Sequence, residues 1–238
     1  HMNKQKAQDA ELDGPKEEEL IPDKLARTET PLEDAVHFLK PLQQLASHRI
    51  ETHVMAFEIY SRKGKLLLML QSVKRGFATD VTHPKFHPCL VKFLKLVKES
   101  KDLPESIRTV LEREMAPMYG SRSAEQINQE YLDSHAKSLP HLAAAAKCIY
   151  FLDPTAQERA ITLATRLDEH LEGVSVKLCE EIYSLLKAGS FGCCDNQAEA
   201  YREACHLRFP YATTFRPPMQ NHVGETCPDK NSLTANES

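Results

Sequence analysis

The sequence predicts an all-α protein, a solenoid of antiparallel helix pairs, and three observations carry that prediction. Apolar residues recur at spacings of three and four through most of the 238 residues, and no segment alternates convincingly at period two. Glycine or proline ends one apolar stripe after another. AKCIYFLDP at 146–154 runs a helix face into Asp153 and Pro154, and VKRGFATDVTHP at 73–84 runs an earlier one into Asp80 and Pro84. These two prolines lie 70 residues apart, close to twice the ~34-residue period of tetratricopeptide (TPR) helix pairs. Helix pairs stacked at that period build a surface that holds other proteins and have no built-in chemistry.

The elements follow in order. Positions 3–30 are polar, charged and broken by Pro15 and Pro22. With His1-Met2 read as a cloning remnant, 1–29 is expected to be a flexible arm on a piece of a longer protein, its charge run Lys16 to Glu19 in solvent. The helical domain is expected over 30–215. Thr30 stands as N-cap and Pro31 as first residue of a helix over 31–46 that carries Leu32, Ala35, Val36, Leu39, Leu42 and Leu45. Pro41 inside it predicts a kink or a split. From 48 to 61, Ile50, Val54 and Phe57 form one stripe, and Met55 and Ile59 a second, as in a helix sandwiched between neighbours. Gly64 breaks that run before Leu66, Leu70, Val73 and Phe77. Phe86, Leu90, Phe93, Leu94 and Val97 mark the next helix; Ile107, Val110, Leu111, Met115 and Met118 mark one that starts at Pro104-Glu105 and closes at Gly120.

The second half repeats the pattern. Ser123 caps a weaker helix with Ile127 and Tyr131, and 139–152 is alanine-rich, so a neighbour can approach closely. Thr155 is expected to cap a long helix bearing Ala160, Leu163, Leu167 and Leu171, ended by Gly173. Ser175 caps another with Leu178, Ile182 and Leu185, ended by Gly189. A last helix over 196–209 carries Ala198, Tyr201 and Cys205, after which prolines stop regular structure and 216–238 reads as a disordered tail.

Composition narrows the function. The chain is 41% hydrophobic and 7% aromatic with no tryptophan, which suits Leu- and Ala-rich helix packing. A net charge of −4 demands no nucleic acid. Seven cysteines, odd in number and without a CxxC, read as buried thiols of a reducing compartment; the adjacent Cys193 and Cys194 read as incidental. No apolar run approaches the ~20 residues that cross a bilayer.

Candidate chemistry is sparse. The eight glycines offer no phosphate-cradling loop, GSFG at 189–192 reads as a helix-ending turn, and no Ser, Cys or Asp stands in a nucleophile turn. The chain therefore reads as non-catalytic, with no catalytic residue, metal or cofactor assigned. His83, His87 and Cys89 have a superficially metal-like spacing, but both histidines precede prolines, which spoils a shared helical face; capping and packing roles are favoured. Lys92, Lys95 and Lys98 recur every three residues with Lys85 and Lys101 flanking, a candidate basic surface that a solvated helix face explains equally. Leu178, Ile182, Tyr183, Leu185, Phe209 and Tyr211 sit at the end of the solenoid, where no further repeat follows to cover them. They are candidate docking residues, to be covered either by the tail folding back or by a partner.

Long runs also carry a resemblance. TPLEDAVHFLKPLQQL, RIETHVMAFEIYSRKGKLLLMLQSVKRGFATD, ESKDLPESIRTVLEREM, SLPHLAAAAKCIYFLDP and HLRFPYATTFRPP resemble the C-terminal part of the auxiliary, ribosome-anchoring subunits of the N-terminal acetyltransferase A (NatA) complex. Departures from the best-known animal subunit are similar to those of its close paralogue. The resemblance covers about Gly14 to Pro218. It implies a TPR-like superhelix that wraps a small catalytic subunit of the GNAT fold, which holds the acetyl-CoA and acetylates nascent chains. It further implies a ribosome partner, a small inhibitory partner (huntingtin-interacting protein K) docking in this region, and a cytoplasmic, ribosome-associated place that extends to the nucleus. Inositol hexakisphosphate binds in the family mostly upstream, and no lysine here maps onto that site. Two rivals remain: an independent TPR-like adaptor for peptide termini, and an RNA- or ribosome-binding module using Lys85 to Lys101.

Overall fold

The computed structural model describes residues 21–217. Most of the expected arm, including Lys16 to Glu19, lies outside the described residues, as do Cys227 and all of the expected tail beyond 217. Among the described residues every regular element is a helix, apart from two isolated bridges. No helix among them is long and apolar enough to cross a membrane. The chain divides into two compact units, His1–Ile127 and Asn128–Ser238. Both contain helices packed on a chain neighbour, the pairing of a TPR-like α-solenoid.

The first unit opens with α1 (Pro22–Ala26), whose five residues are too few to show an apolar period. Next come α2 (Pro31–Leu45), α3 (Ile50–Arg62), α4 (Leu66–Asp80), α5 (His87–Glu99) and α6 (Glu105–Tyr119). Thr30 precedes α2 as expected, but its side chain caps nothing. The Thr28 hydroxyl does the local work, donating to Asp34 Oδ2 at 2.6 Å and accepting from the Thr30 amide. Pro41 does not split α2, which runs unbroken to Leu45.

The α3–α4 hairpin is the tightest pairing in this unit. Gly64, at φ 63°, turns the chain in a Schellman motif: its amide donates to Ser61 O and that of Lys65 to Tyr60 O. The stripes expected on α3 are met in part, with Ile50, Val54, Phe57 and Ile59 on the core. Met55 is exposed, and Thr52, His53, Ala56 and Tyr60 turn inward instead. Thr52 and His53 enter the core because their side chains find backbone carbonyls, Ala46 O at 2.9 Å and Ser47 O at 2.8 Å. Gly76 is a packing glycine: a Cβ there would lie 2.3 Å from the Phe86 ring, so Phe86 seats directly on the backbone of α4.

The second unit contains most of α7 (Ala124–Ser134) and then α8 (Leu139–Leu152), α9 (Gln157–Ala164), α10 (Val176–Lys187) and α11 (Asp195–Arg208). Ser123 forms a capping box at α7: Gln126 donates its amide to Ser123 Oγ, and Ser123 returns its own amide to Gln126 Oε1 at 2.9 Å. The alanines of α8 are buried as a block and admit α9 against its backbone.

The long helix expected after Thr155 is not formed. Asp153 is the cap, accepting the Thr155 amide at 2.9 Å, and a 3-10 turn (Pro154–Ala156) leads into α9, which ends at Ala164. Leu167 and Leu171 then lie on non-helical chain. That segment is held by a bridge of Ser138 to Glu172, in which Glu172 donates to Lys137 O at 2.8 Å and Leu139 to Glu172 O at 3.0 Å. Long-range pairing has overridden the local helical period. Gly173 still has positive φ, yet it turns this bridge and ends no helix.

Four substitutions test the packing. Phe57→Ala or Leu70→Ala should lower stability by ~2–5 kcal/mol, and Gly76→Ala by ~1–3 kcal/mol through the Phe86 collision. Lys95→Ala should change it by less than ~0.5 kcal/mol. Urea denaturation of the four variants checks the order, and a neutral Gly76→Ala would contradict the close seat of Phe86.

Candidate protein-docking surfaces

The lysine stripe lies in the first unit. Lys92, Lys95 and Lys98 share α5, while Lys85 and Lys101 stand just outside its two ends. Lys92 Nζ reaches Glu58 Oε1 on α3 at 3.0 Å, and Lys95 pairs with Glu99 at 4.0 Å. Glu58 also takes Arg62 at 3.0 Å. The Glu125 carboxyl is held below its usual range, first by its own backbone amide and then by the Ser123 hydroxyl, with the charges of Lys98 and Lys95 adding to the effect. The stripe is therefore partly neutralised where Lys92 and Lys95 sit. Its outer part, Lys98 and Lys101, is exposed.

His83 and His87 do not act as a pair. His83 Nδ1 accepts the Lys85 amide at 3.2 Å in the turn before α5, and His87 is buried inside the helix. Cys89, Cys148, Cys179, Cys194 and Cys205 are buried thiols outside any disulfide, whereas the Cys193 thiol is exposed. Tyr201 and Cys205 lie against Cys179 in the core of the second unit. Burial raises the Tyr201 phenol above its ordinary range, with Cys179 adding to it.

The terminal face is built by α10, α11 and the chain that follows. Ser175 caps α10, accepting the Leu178 amide, and Gly189 closes it in a second Schellman turn. Ile182 is 1% exposed, and Leu178, Tyr183, Leu185 and Phe209 are partly buried against the same core. A 3-10 turn (Thr213–Phe215) brings Phe215 back into that core, fully buried. Arg202 fastens it, donating from Nη1 to Phe215 O at 2.9 Å and from Nε to Glu199 Oε2 at 2.8 Å. Tyr183 donates to the other oxygen of Glu199 at 3.1 Å, and Thr214 donates to Glu180. These bonds hold the Glu199 carboxyl low, Arg202 first and Tyr183 second. Of the six residues read as docking candidates, Tyr211 alone is open to solvent, at 92%; Leu207, near the end of α11, is 83% exposed. Sequence reasoning missed Arg202 and Glu199. Their spacing of three on a polar helix looks like an ordinary surface pair.

Known proteins are similar to this chain in sequence. Residues 1–76 match the family described as "N-terminal acetyltransferase A, auxiliary subunit". A human protein named "N-alpha-acetyltransferase 16, NatA auxiliary subunit" is 48% identical over 202 residues, 85% of this chain and 23% of that protein. Its mouse counterpart is 47% identical over 207 residues, 87% of this chain and 24% of that protein. The chain belongs to the NatA auxiliary-subunit family. A more distant member from Arabidopsis thaliana, "N-terminal acetyltransferase A complex auxiliary subunit NAA15", is 32% identical over 210 residues, 81% of this chain and 23% of that protein. The chain spans about a quarter of the length of these curated relatives. The family match at its amino end runs as far as Gly76 in α4, and the longer alignments to the relatives take in most of the chain.

Because Ile182 is core, a substitution such as Ile182→Asp reads folding and not docking. The informative pair is Phe215→Ala, expected to cost ~3–5 kcal/mol as a buried aromatic truncation, and Tyr211→Ser, expected to cost under ~0.5 kcal/mol. Thermal melts by circular dichroism check both. A Phe215→Ala variant as stable as the parent would mean that the returning segment does not seal the terminal helices.

Proposed function

We propose that this chain is a non-catalytic scaffold segment of a NatA N-terminal acetyltransferase complex, supporting co-translational acetylation by holding partner proteins. The observation that carries this reading is 48% identity over 85% of the chain to a protein named as a NatA auxiliary subunit. Helix pairs packed on their neighbours, with polar side chains used for caps and surface ion pairs, support it.

The principal partner in this reading is a catalytic acetyltransferase subunit of the GNAT fold. A huntingtin-interacting protein K-like inhibitor and the ribosome are further partners, and the setting is the cytoplasm, extending to the nucleus. The buried thiols, none of them in a disulfide among the described residues, suit such a reducing compartment. The rival reading of Lys85 to Lys101 as an RNA-binding stripe is weakened by the glutamates that engage Lys92 and Lys95.

Pull-down of the chain against the catalytic subunit and the inhibitor separately tests the proposal, with capture of at least one expected. The purified chain should show no turnover of acetyl-CoA with a Ser- or Ala-starting peptide. Turnover that persists after removal of contaminating catalytic subunit would overturn the scaffold reading, as would capture of neither partner.

A further inference from the structure

Between α5, the loop at 100–104 and α6 lies an open groove of about 550 Å³. Its floor is apolar, with Val97, Leu103 and Met115 half-buried along it. Its rim is cationic: Lys98, Lys101 and Arg108 line it, against Glu112 as the one lining carboxylate. Arg108 is held in place by donation to Lys101 O at 3.2 Å. Among the described residues neither Lys98 nor Lys101 forms an ion pair, unlike Lys92 and Lys95 further back on the same helix.

The groove thus asks for an occupant with one apolar side and acidic flanks. A nucleic acid fits poorly, because single strands are held by aromatic stacking and no aromatic side chain lines the groove. An amphipathic helix supplies both features, laying apolar residues at i, i+3 and i+7 on the floor while its carboxylates meet the rim. Met115 is suited to such a floor, since its unbranched thioether repacks around different side chains.

We propose that the α5–α6 groove docks an acidic amphipathic helix of a partner protein, with Lys98, Lys101 and Arg108 selecting its charge. This deepens the scaffold reading and rests on it. The partner pull-down can succeed through any helix of the chain, whereas the experiment below reads this groove alone.

The test is fluorescence anisotropy of the 238-residue chain with a labelled helical peptide of about 18 residues, leucine on one face and glutamate on the other. Micromolar binding that weakens with salt is the expected result. Lys98→Glu with Lys101→Glu should weaken it at least about tenfold, as reversal of complementary charge does. Ala116→Trp fills the groove from its exposed wall, so the fold should survive, by circular dichroism, while binding falls at least about tenfold. Lys147→Glu in the other unit should change nothing. Equal binding of a scrambled peptide, unchanged affinity in the folded Ala116→Trp variant, or tighter binding of a labelled oligouridine that depends on Lys98 and Lys101 would each overturn the proposal.

Discussion

Burial of each helix's apolar stripe against neighbouring helices of its unit is the constraint on which this structure depends. An isolated helix of thirteen to fifteen residues, the length of α2 to α6, is marginal in water. A buried Leu or Phe contributes about 1.5–3 kcal/mol, so a few shared between neighbours decide whether the pair forms. The α3–α4 hairpin shows the arrangement. Phe57 and Tyr60 face Met69, Leu70 and Val73 in one core, and the Schellman turn at Gly64 brings the two stripes together. Phe86 extends the same core to α5 by resting on Gly76, where any side chain would hold the helices apart.

Chain ends and irregular segments solve a different problem, because a stripe without a following helix must be covered by something. In the second unit the cover is the chain itself. The 213–215 turn returns Phe215 to the core, and Arg202 couples that turn to α11 through Glu199 and the Phe215 carbonyl. The segment from Thr165 to Val174 does similar work for α8. It gives up helical hydrogen bonds and pairs Glu172 with the backbone on either side of Ser138. Gln157 closes the remaining gap, donating to Phe191 O at 2.6 Å and Cys193 O at 3.1 Å across the turn after α10. Each of these devices satisfies backbone groups that a regular helix would have satisfied internally.

The surface left by this packing is mixed in charge and uneven in use. Glutamates occupy some lysines of α5 and leave others at the α5–α6 groove. Such a division suits a scaffold: paired charges stabilise little but keep the outer face soluble, while unpaired charge beside apolar floor gives a partner both attraction and register. Two of the polar side chains that this chain buries, Thr52 and His53, are each tied to a nearby carbonyl.

How much was legible in the sequence depended on the range of the interaction involved. The all-α class, the stripes of α4, α5 and α6, the Ser123 and Ser175 caps and the turns at Gly64 and Gly189 follow from the sequence alone, because each is set by residues within about one or two helical turns. The family is equally legible there, in long runs that resemble its members. Tertiary structure alone decides the rest. Thr52 and His53 can be core only because carbonyls of the preceding turn are in reach, and Leu167 and Leu171 leave the helical period because Glu172 pairs with chain more than 30 residues earlier. The terminal candidates divide for the same reason. Ile182 and Tyr211 look alike as apolar residues in the sequence, yet Ile182 lies in the core that Phe215 joins and Tyr211 stands in water. Local periodicity says which face of a helix is apolar; which other part of the chain arrives to cover it is a long-range choice that no local pattern encodes.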